Sequence, residues 1–323
     1  MLRRIKRAVV TWLLRAGQGR LPAPTPRETA LIDDLRRAFR ALSITVSSEA
    51  GDSLREWSEN ANRLRHLVLT KDPRSFLRWD VIRRTMFVTD APYVGEELSY
   101  LKHLPDWHER WCRAIKESPG GCPTSYVLYP ASSENLIHHA YHLARFEEQT
   151  HRRVDDLACV LEFGGGYGSM CRLFHNLGFR GRYLIFDLPA FSALQRFFLR
   201  SIGMCVGSPD EFRDRSSGVA LSSNVGDLHT LVADGSDNGR ALFLATWSIS
   251  EAPIPLRDTV LRLVSRFGAL FIAYQRRFGG VDNLEYFRSW KRATGERVRW
   301  HEWEIDHLPG NYYLVGTDSI SVT

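Results

Sequence analysis

Cysteine, lysine and long apolar runs are all scarce in this 323-residue sequence. The five cysteines are odd in number and form no Cys-x-x-Cys pair, which argues against a disulfide framework or a zinc knuckle and favours a reducing, cytoplasmic compartment. No apolar run approaches the roughly 20 residues of a membrane-spanning helix. Only five of the 43 basic residues are lysine, so the chain has a strong arginine bias. The net charge of +6 is therefore weak evidence for nucleic-acid binding, and we expect no nucleic-acid partner.

The excess positive charge lies in residues 1–26, where six basic residues and no acid precede Pro26. Apolar residues recur there at helical spacing, which predicts a basic amphipathic leader. One interpretation is that residues 1–20 make peripheral contact with an anionic membrane or a partner, and the other is a solvated leader. A secretory signal fits less well because Arg15 closes a short apolar run.

Beyond the leader, the chain changes character near residue 150. Residues 27–150 show apolar spacings of three and four, which predicts short helices that serve as a cap or as the surface of a homodimer. Residues 151–323 alternate short apolar runs with helical stretches, as buried parallel strands and crossover helices do. Two strand-like runs flank the turn at 307–310, which predicts a terminal antiparallel hairpin.

A glycine-rich loop at 162–168 follows a predicted strand and opens a predicted helix. Glycines at 164, 166 and 168 allow a tight turn and close approach of a nucleotide-like cofactor to the helix N-terminus. Asp187 ends the next predicted strand, where a carboxylate can accept the hydroxyl groups of a ribose. The predicted cofactor-binding residues are Glu162, Phe163, Gly164, Gly165, Gly166, Tyr167, Gly168, Asp187 and Leu188.

NAD(P) and S-adenosylmethionine both suit this geometry. The dinucleotide pattern prefers Gly or Ala where this chain has Ser169. The carboxylate of Glu162 would repel a pyrophosphate but can serve the ammonium group of a methionine moiety. These features favour S-adenosylmethionine, with S-adenosylhomocysteine as the product.

The stretch from Glu162 to Met170, followed by Phe186-Asp187-Leu188-Pro189, resembles class I S-adenosylmethionine-dependent methyltransferases. More narrowly, residues 135–143, Ser250-Glu251, Tyr274-Gln275 and Asp282-Asn283 are similar to sugar O-methyltransferases of bacterial glycan and natural-product pathways. The resemblance implies an α/β fold with a seven-stranded Rossmann-like methyltransferase sheet, a C-terminal antiparallel hairpin and a mostly helical N-terminal region. It also implies methyl transfer to a sugar hydroxyl of a glycan, nucleotide sugar or glycosylated natural product.

The predicted helix from Glu134 to about Glu148 places three histidines on one face with Asn135. A neutral imidazole is well matched to taking a proton from a hydroxyl, and His139 and His142 lie nearer the centre of that face than His138. The predicted catalytic residues are His139, His142 and Glu251. The predicted substrate-binding residues are Asn135, His138, Trp247, Ser250, Gln275, Asp282 and Asn283.

His138 and His142 are four residues apart, so they also permit a divalent-metal site. We rank it second because no carboxylate shares their arc of the helix. Two other function classes stay open: an NAD(P)-dependent reductase, and a non-catalytic methyltransferase-like binding protein.

Overall fold

The computed structural model describes residues 21–43, 52–213, 215–233 and 239–319. The predicted leader therefore lies largely outside the described residues, and its membrane contact stays a prediction. In the described ranges, none of the helices combines the length and apolar character that crossing a bilayer requires.

The N-terminal region is mostly helical, as predicted. Thr25 caps its first helix by a reciprocal pair of bonds with Glu28, and Ser133 caps its last by accepting from the Leu136 N–H at 3.1 Å. The helices are α1 (Pro26–Ala41), α2 (Asp52–Thr70), α3 (Asp80–Thr85), α4 (Val94–Lys102), α5 (Cys112–Ala114) and α6 (Glu134–Thr150). A 3₁₀ helix (Pro73–Arg78), a π-helical turn (Trp107–Trp111) and a small antiparallel pair, β1 (Ser125–Tyr126) with β2 (Tyr129–Ser133), complete it.

Strands and helices alternate through the rest of the chain. The strands are β3 (Cys159–Phe163), β4 (Arg182–Phe186), β5 (Val206–Gly207), β6 (Gly218–Ser222), β7 (Ala241–Thr246), β8 (Ala269–Gln275), β9 (Arg277–Phe278), β10 (Val281–Asp282), β11 (Val298–Glu304) and β12 (Asn311–Asp318). The helices are α7 (Ser169–Asn176), α8 (Pro189–Ser201), α9 (Pro209–Arg213), α10 (Val225–Ala233), α11 (Ser248–Glu251), α12 (Ile254–Val264) and α13 (Asn283–Thr294), with 3₁₀ turns at Val154–Asp156 and Gly295–Arg297.

Within the described residues, eight strands form the main sheet in the order β11-β12-β8-β7-β3-β4-β6-β5. The strands from β8 to β5 pair in parallel, whereas β12 is antiparallel to both β8 and β11. This order confirms the Rossmann-like methyltransferase sheet and its terminal hairpin. The two-residue β5 adds an edge strand to the predicted seven, and the sequence pattern had not singled out β6.

Successive residues of a strand point to opposite sides of the sheet, and each side packs against its own core cluster. Val160 belongs to a core cluster shared with α1, α6 and α8, whereas Leu161 belongs to the cluster on the opposite face, with α12 and α13. The helical N-terminal region therefore shares one hydrophobic core with one face of the sheet. The domain boundary at 150/151 and the homodimer stay predictions.

Candidate active site

The glycine-rich loop connects β3 to α7 in the predicted place. Gly164 adopts φ +72°, and a Cβ there would collide with the side chain of Ser248. Gly168 adopts φ +95° and is the N-cap of α7. Both positions lie in the left-handed region that glycine adopts without strain. The loop therefore packs too closely against the residues after β7 to tolerate side chains.

Asp187 lies directly after β4 and is bonded to the glycine loop. Its carboxylate accepts from the Leu188 N–H and from Gln195 Nε2, both at 2.7 Å, and also from the backbone N–H groups of Gly165 and Gly166. Burial raises the pKa of Asp187 to about 7, even though these hydrogen bonds favour the charged form. The carboxylate is thus fixed beside the loop and titrates near neutral pH.

Glu162 is the last residue but one of β3, two residues before Gly164. It is buried and accepts a hydrogen bond of 2.8 Å from the Tyr183 hydroxyl. Burial raises the pKa of Glu162 to about 8, with a smaller contribution from the charge of Asp187. Two carboxyl groups with raised pKa values therefore flank the glycine loop, a pattern that is common at functional sites.

A cavity of about 630 Å³ opens above the loop, a volume typical of small-molecule sites. One side of it, here called the glycine-loop wall, consists of residues 162–167 together with Phe186, Asp187 and Leu188. All predicted cofactor-binding residues except Gly168 line the cavity.

Residues 85–91 form a strap that also lines the cavity. Its backbone is held by the start of α6: Asn135 Oδ1 accepts from the Val88 N–H at 2.9 Å, and Glu134 Oε2 accepts from the Ala91 N–H at 3.1 Å. The Asn135 amide nitrogen donates to the Tyr167 hydroxyl at 3.0 Å. Asn135, predicted to bind substrate, therefore joins the strap to the glycine loop. A Cβ on Gly166 would lie 3.3 Å from Met86, so the strap passes close over the loop.

The second group of lining residues, here called the Trp247 wall, consists of Trp57, Tyr93, His138, His139, Trp247 and Glu251. Trp247 follows β7 with φ +62° and ψ −34°, a strained conformation for a residue with a bulky side chain. Its indole nitrogen donates to Asn311 Oδ1 at 2.7 Å, and its ring stacks on His138 with centroids 5.6 Å apart. Strain of this kind is maintained only by surrounding structure, and it concentrates at functional sites.

The three histidines of α6 have different surroundings. His139 lines the cavity, and its buried Nδ1 has no hydrogen-bond partner among the described residues. Burial lowers the pKa of His139 to about 3, so the imidazole is neutral at neutral pH. His142 is buried outside the cavity lining, where Nδ1 bonds to the Tyr313 hydroxyl and Nε2 lies 2.9 Å from Nε2 of His138. The prediction of His142 as a base that reaches the acceptor therefore needs correction, because the helix turns it toward β12.

Glu251 lies on the cavity as predicted. Its Oε1 accepts from Gln275 Nε2 at 3.2 Å, and Trp57 also hydrogen-bonds to its carboxyl group. Burial raises the pKa of Glu251 to about 7, which suits proton transfer near neutral pH.

Four predicted substrate-binding residues lie outside the cavity lining, and each has a structural partner instead. Ser250 Oγ donates to Gln275 Oε1 at 2.9 Å, which orients the Gln275 amide toward Glu251. Asp282 caps α13 by accepting from the Glu285 N–H at 3.2 Å. Asn283 is buried and donates to the Gln275 carbonyl at 2.9 Å. These polar groups hydrogen-bond to neighbouring backbone and side-chain groups, and their contact with substrate stays a prediction.

Sequence analysis missed several lining residues, among them Trp57, Arg83 and Tyr93. They come from α2, α3 and the start of α4, and no local pattern relates those segments to the glycine loop. Within the described part of the chain, no group of three or more His, Cys, Asp or Glu side chains is arranged to hold a metal ion. Nε2 of His138 and Nε2 of His142 lie 2.9 Å apart and are bonded to each other.

No protein-family model and no curated protein sequence matches the chain. Solved structures similar to it include the 4+2 cyclase SpnF, with 16% identity and a TM-score of 0.38 over 58% of this chain and 83% of that one. The glycopeptide N-methyltransferase MtfA complexed with S-adenosyl-L-methionine has 12% identity and a TM-score of 0.36 over 55% and 86%. A fibrillarin pre-rRNA processing protein from Methanococcus jannaschii has 12% identity and a TM-score of 0.36 over 51% and 68%. At these TM-scores the matches assign no ligand or reaction, and the fold is identified by its own strand order.

Proposed function

We propose that the protein is an S-adenosylmethionine-dependent methyltransferase whose acceptor is a sugar hydroxyl. One observation carries the proposal: a single cavity joins the glycine loop and Asp187 to a wall of aromatic rings that also bears His139 and Glu251. The first group of residues suits a nucleoside cofactor. The second suits an acceptor that must be positioned and deprotonated.

The residues of the glycine-loop wall fit the cofactor chemically. Gly164, Gly165 and Gly166 line the cavity with backbone atoms, so a ligand can approach the chain closely there. Asp187 offers carboxylate oxygens to ribose hydroxyls, and Glu162 offers a carboxylate for the ammonium group of the methionine moiety. S-adenosylmethionine held there would supply an electrophilic methyl group on a positively charged sulfur.

The Trp247 wall provides groups that can take the acceptor's proton. His139 lines the cavity and its imidazole is neutral at neutral pH, so the ring can accept a hydrogen bond from the acceptor hydroxyl. Because the pKa of His139 is about 3 and that of Glu251 about 7, Glu251 is the stronger base of the two at neutral pH. Glu251, with its pKa raised to about 7, can hold an acceptor hydroxyl or orient the imidazole beside it. Both residues are half-buried and line the same cavity.

The aromatic content of the same wall supports a sugar as the acceptor. Trp57, Tyr93 and Trp247 present rings against which the C–H face of a pyranose can pack. The polar groups of His139 and Glu251 can meet its hydroxyl groups. A pocket of aromatic rings with a few polar groups is the usual design for orienting such a ligand.

Isothermal titration with S-adenosylmethionine, S-adenosylhomocysteine and NADH tests the cofactor. We expect binding of the first two, and Asp187→Ala should weaken S-adenosylhomocysteine binding at least about tenfold because it loses charge-assisted bonds to the ribose. Asp282→Ala is the matched control, since Asp282 lies outside the cavity lining. Binding of NADH alone would identify a reductase instead.

Transfer of a labelled methyl group to a panel of methyl glycosides, nucleotide sugars and short glycans tests the acceptor. Incorporation into a hydroxyl supports O-methylation. Incorporation into amines alone would retain the methyltransferase and reject the sugar hydroxyl. Cofactor binding without transfer to any acceptor would indicate a binding protein.

A further inference from the structure

Glu97 of α4 is completely buried where three distant segments meet. Its Oε1 lies 2.7 Å from Nδ1 of His138 on α6 and 2.8 Å from Nε2 of His307 in the turn between β11 and β12. Burial alone would raise the pKa of Glu97, but the two imidazoles outweigh it and hold the pKa below its ordinary value. A buried, ionised carboxylate is costly unless it is well bonded, so its retention beside the cavity needs a reason.

The hydrogen bonds from Glu97 inward occupy both ring nitrogens of His138. A carboxylate only accepts, so Nδ1 of His138 donates to Glu97, and Nε2 of His138 is bonded to Nε2 of His142, 2.9 Å away. Nδ1 of His142 is in turn bonded to the Tyr313 hydroxyl. Burial raises the pKa of Tyr313 well above its ordinary value, so the phenol keeps its proton. His138 has no lone pair left for an acceptor.

His138 is therefore a fixed ring, and Trp247 stacks on it. The two ring planes lie 25° apart. Tyr93 packs against both His138 and His307 with centroids 5.5 Å apart in each case. The hairpin holds the other side of the indole through Asn311. The Trp247 ring is thus held by His138, which Glu97 fixes, and by Asn311 of the hairpin.

We propose that Glu97 is a positioning residue: by fixing His138 and His307 it sets the plane of the Trp247 ring against which the acceptor packs. That an acceptor packs against the Trp247 ring rests on the proposed function, whereas the influence of Glu97 on the position of that ring does not. The inference gives His138 a role different from both base and metal ligand. It also gives the terminal hairpin a role in shaping the cavity.

The test is ¹⁹F NMR of protein labelled with 5-fluorotryptophan, with the Trp247 resonance assigned by Trp247→Phe. Glu97→Ala should shift or broaden that resonance, while Glu97→Gln, which keeps an accepting oxygen, should leave it near its original position. Glu117→Ala is the matched control, because Glu117 is also a poorly exposed carboxylate with two partners, Arg172 and Ser133, but lies outside the cavity lining. It should lower thermal stability without moving the resonance.

The same variants separate positioning from general stability. In Glu97→Ala we expect S-adenosylhomocysteine affinity to change by less than about twofold, and KM for an identified acceptor to rise about tenfold, more than kcat falls. An unmoved Trp247 resonance in folded Glu97→Ala overturns the proposal. If Glu97→Ala does not fold, His307→Ala must move the resonance, or the proposal is rejected. Failure of the wild-type protein to bind S-adenosylhomocysteine would reject the proposed function and leave the NMR result standing.

Discussion

The glycine-loop wall is drawn from residues 162–188, whereas the Trp247 wall collects side chains from α2, from Tyr93 just before α4, from α6 and from the segment after β7. The first is built largely from backbone geometry and two carboxyl groups that lie close in sequence. The second depends on ring packing and hydrogen bonds across separations such as the 210 residues between Glu97 and His307. The comparison suggests that cofactor binding resists changes on α6 and the hairpin, and that acceptor turnover is sensitive to them.

The largest expected effect belongs to the Trp247 wall. His139→Ala should lower kcat by about 10²–10⁴, because the imidazole is proposed to take the acceptor's proton. S-adenosylhomocysteine affinity should change by less than about twofold, since proton removal belongs to the chemical step. Steady-state kinetics and isothermal titration measure the two quantities.

His66→Ala, an exposed histidine on α2, is the control and should leave both quantities unchanged. If His139→Ala keeps its kcat while Glu251→Gln loses it, the base is Glu251. Loss of cofactor binding in His139→Ala would contradict the separation of the two walls.

The next effect belongs to the glycine-loop wall. Gly164→Ala should weaken S-adenosylhomocysteine binding by about 10- to 100-fold, because a side chain at φ +72° is strained and also collides with Ser248. Gly203→Ala is a matched control: it has φ +90°, but nothing lies within 4 Å of its added Cβ. Equal losses of affinity in the two variants would mean that backbone strain, rather than the close contact, disrupts the loop.

The local part of the architecture could be predicted from the sequence. The runs at β3, β4, β7, β8 and the hairpin, and the position of Asp187, each follow from short patterns of apolar and turn residues. The Gly218–Ser222 strand is harder to predict because only its three central residues are apolar.

The Trp247 wall could be predicted only in part. His139 and His142 both lie near the centre of the polar face of α6, and periodicity cannot say that packing against β12 turns His142 away from the cavity. Polar residues after strands were interpreted as ligands, yet Asn283 and Gln275 bond to each other. No local sequence pattern marks Glu97 or His307 as part of the site, because only the tertiary fold brings these two residues together.

A smaller expected effect is a pH dependence of S-adenosylhomocysteine affinity, which comes from the two carboxyl groups of the glycine-loop wall. The pKa values of Asp187, about 7, and Glu162, about 8, both lie above the ordinary carboxyl value. Binding to ribose hydroxyls and an ammonium group favours the charged forms, so S-adenosylhomocysteine affinity should rise severalfold from about pH 6 to about pH 8. Isothermal titration across that range measures it, and Asp187→Asn should flatten the slope.

The stability of the ligand-free protein should follow the opposite trend. Because the folded-state pKa values are raised, these two carboxyl groups stabilise the fold fully below about pH 4, and that contribution is lost as the pH rises through about 7 to 8. Thermal melts should therefore show that ligand-induced stabilisation grows with pH. Affinity that falls over the same range would contradict the assigned roles of both carboxyl groups.

The smallest effect concerns Asp282, a residue that the sequence pattern assigned to substrate and the structure assigns to the start of α13. Asp282→Ala should lower the free energy of unfolding slightly through loss of the N-cap bond. Binding of S-adenosylhomocysteine and KM for the acceptor should not change, since Asp282 lies outside the cavity lining. Asp282→Ser, which retains a capping oxygen, should recover most of the stability, as chemical denaturation can measure. A raised acceptor KM in Asp282→Ala with normal stability would extend the acceptor site beyond the Trp247 wall to the N-terminus of α13.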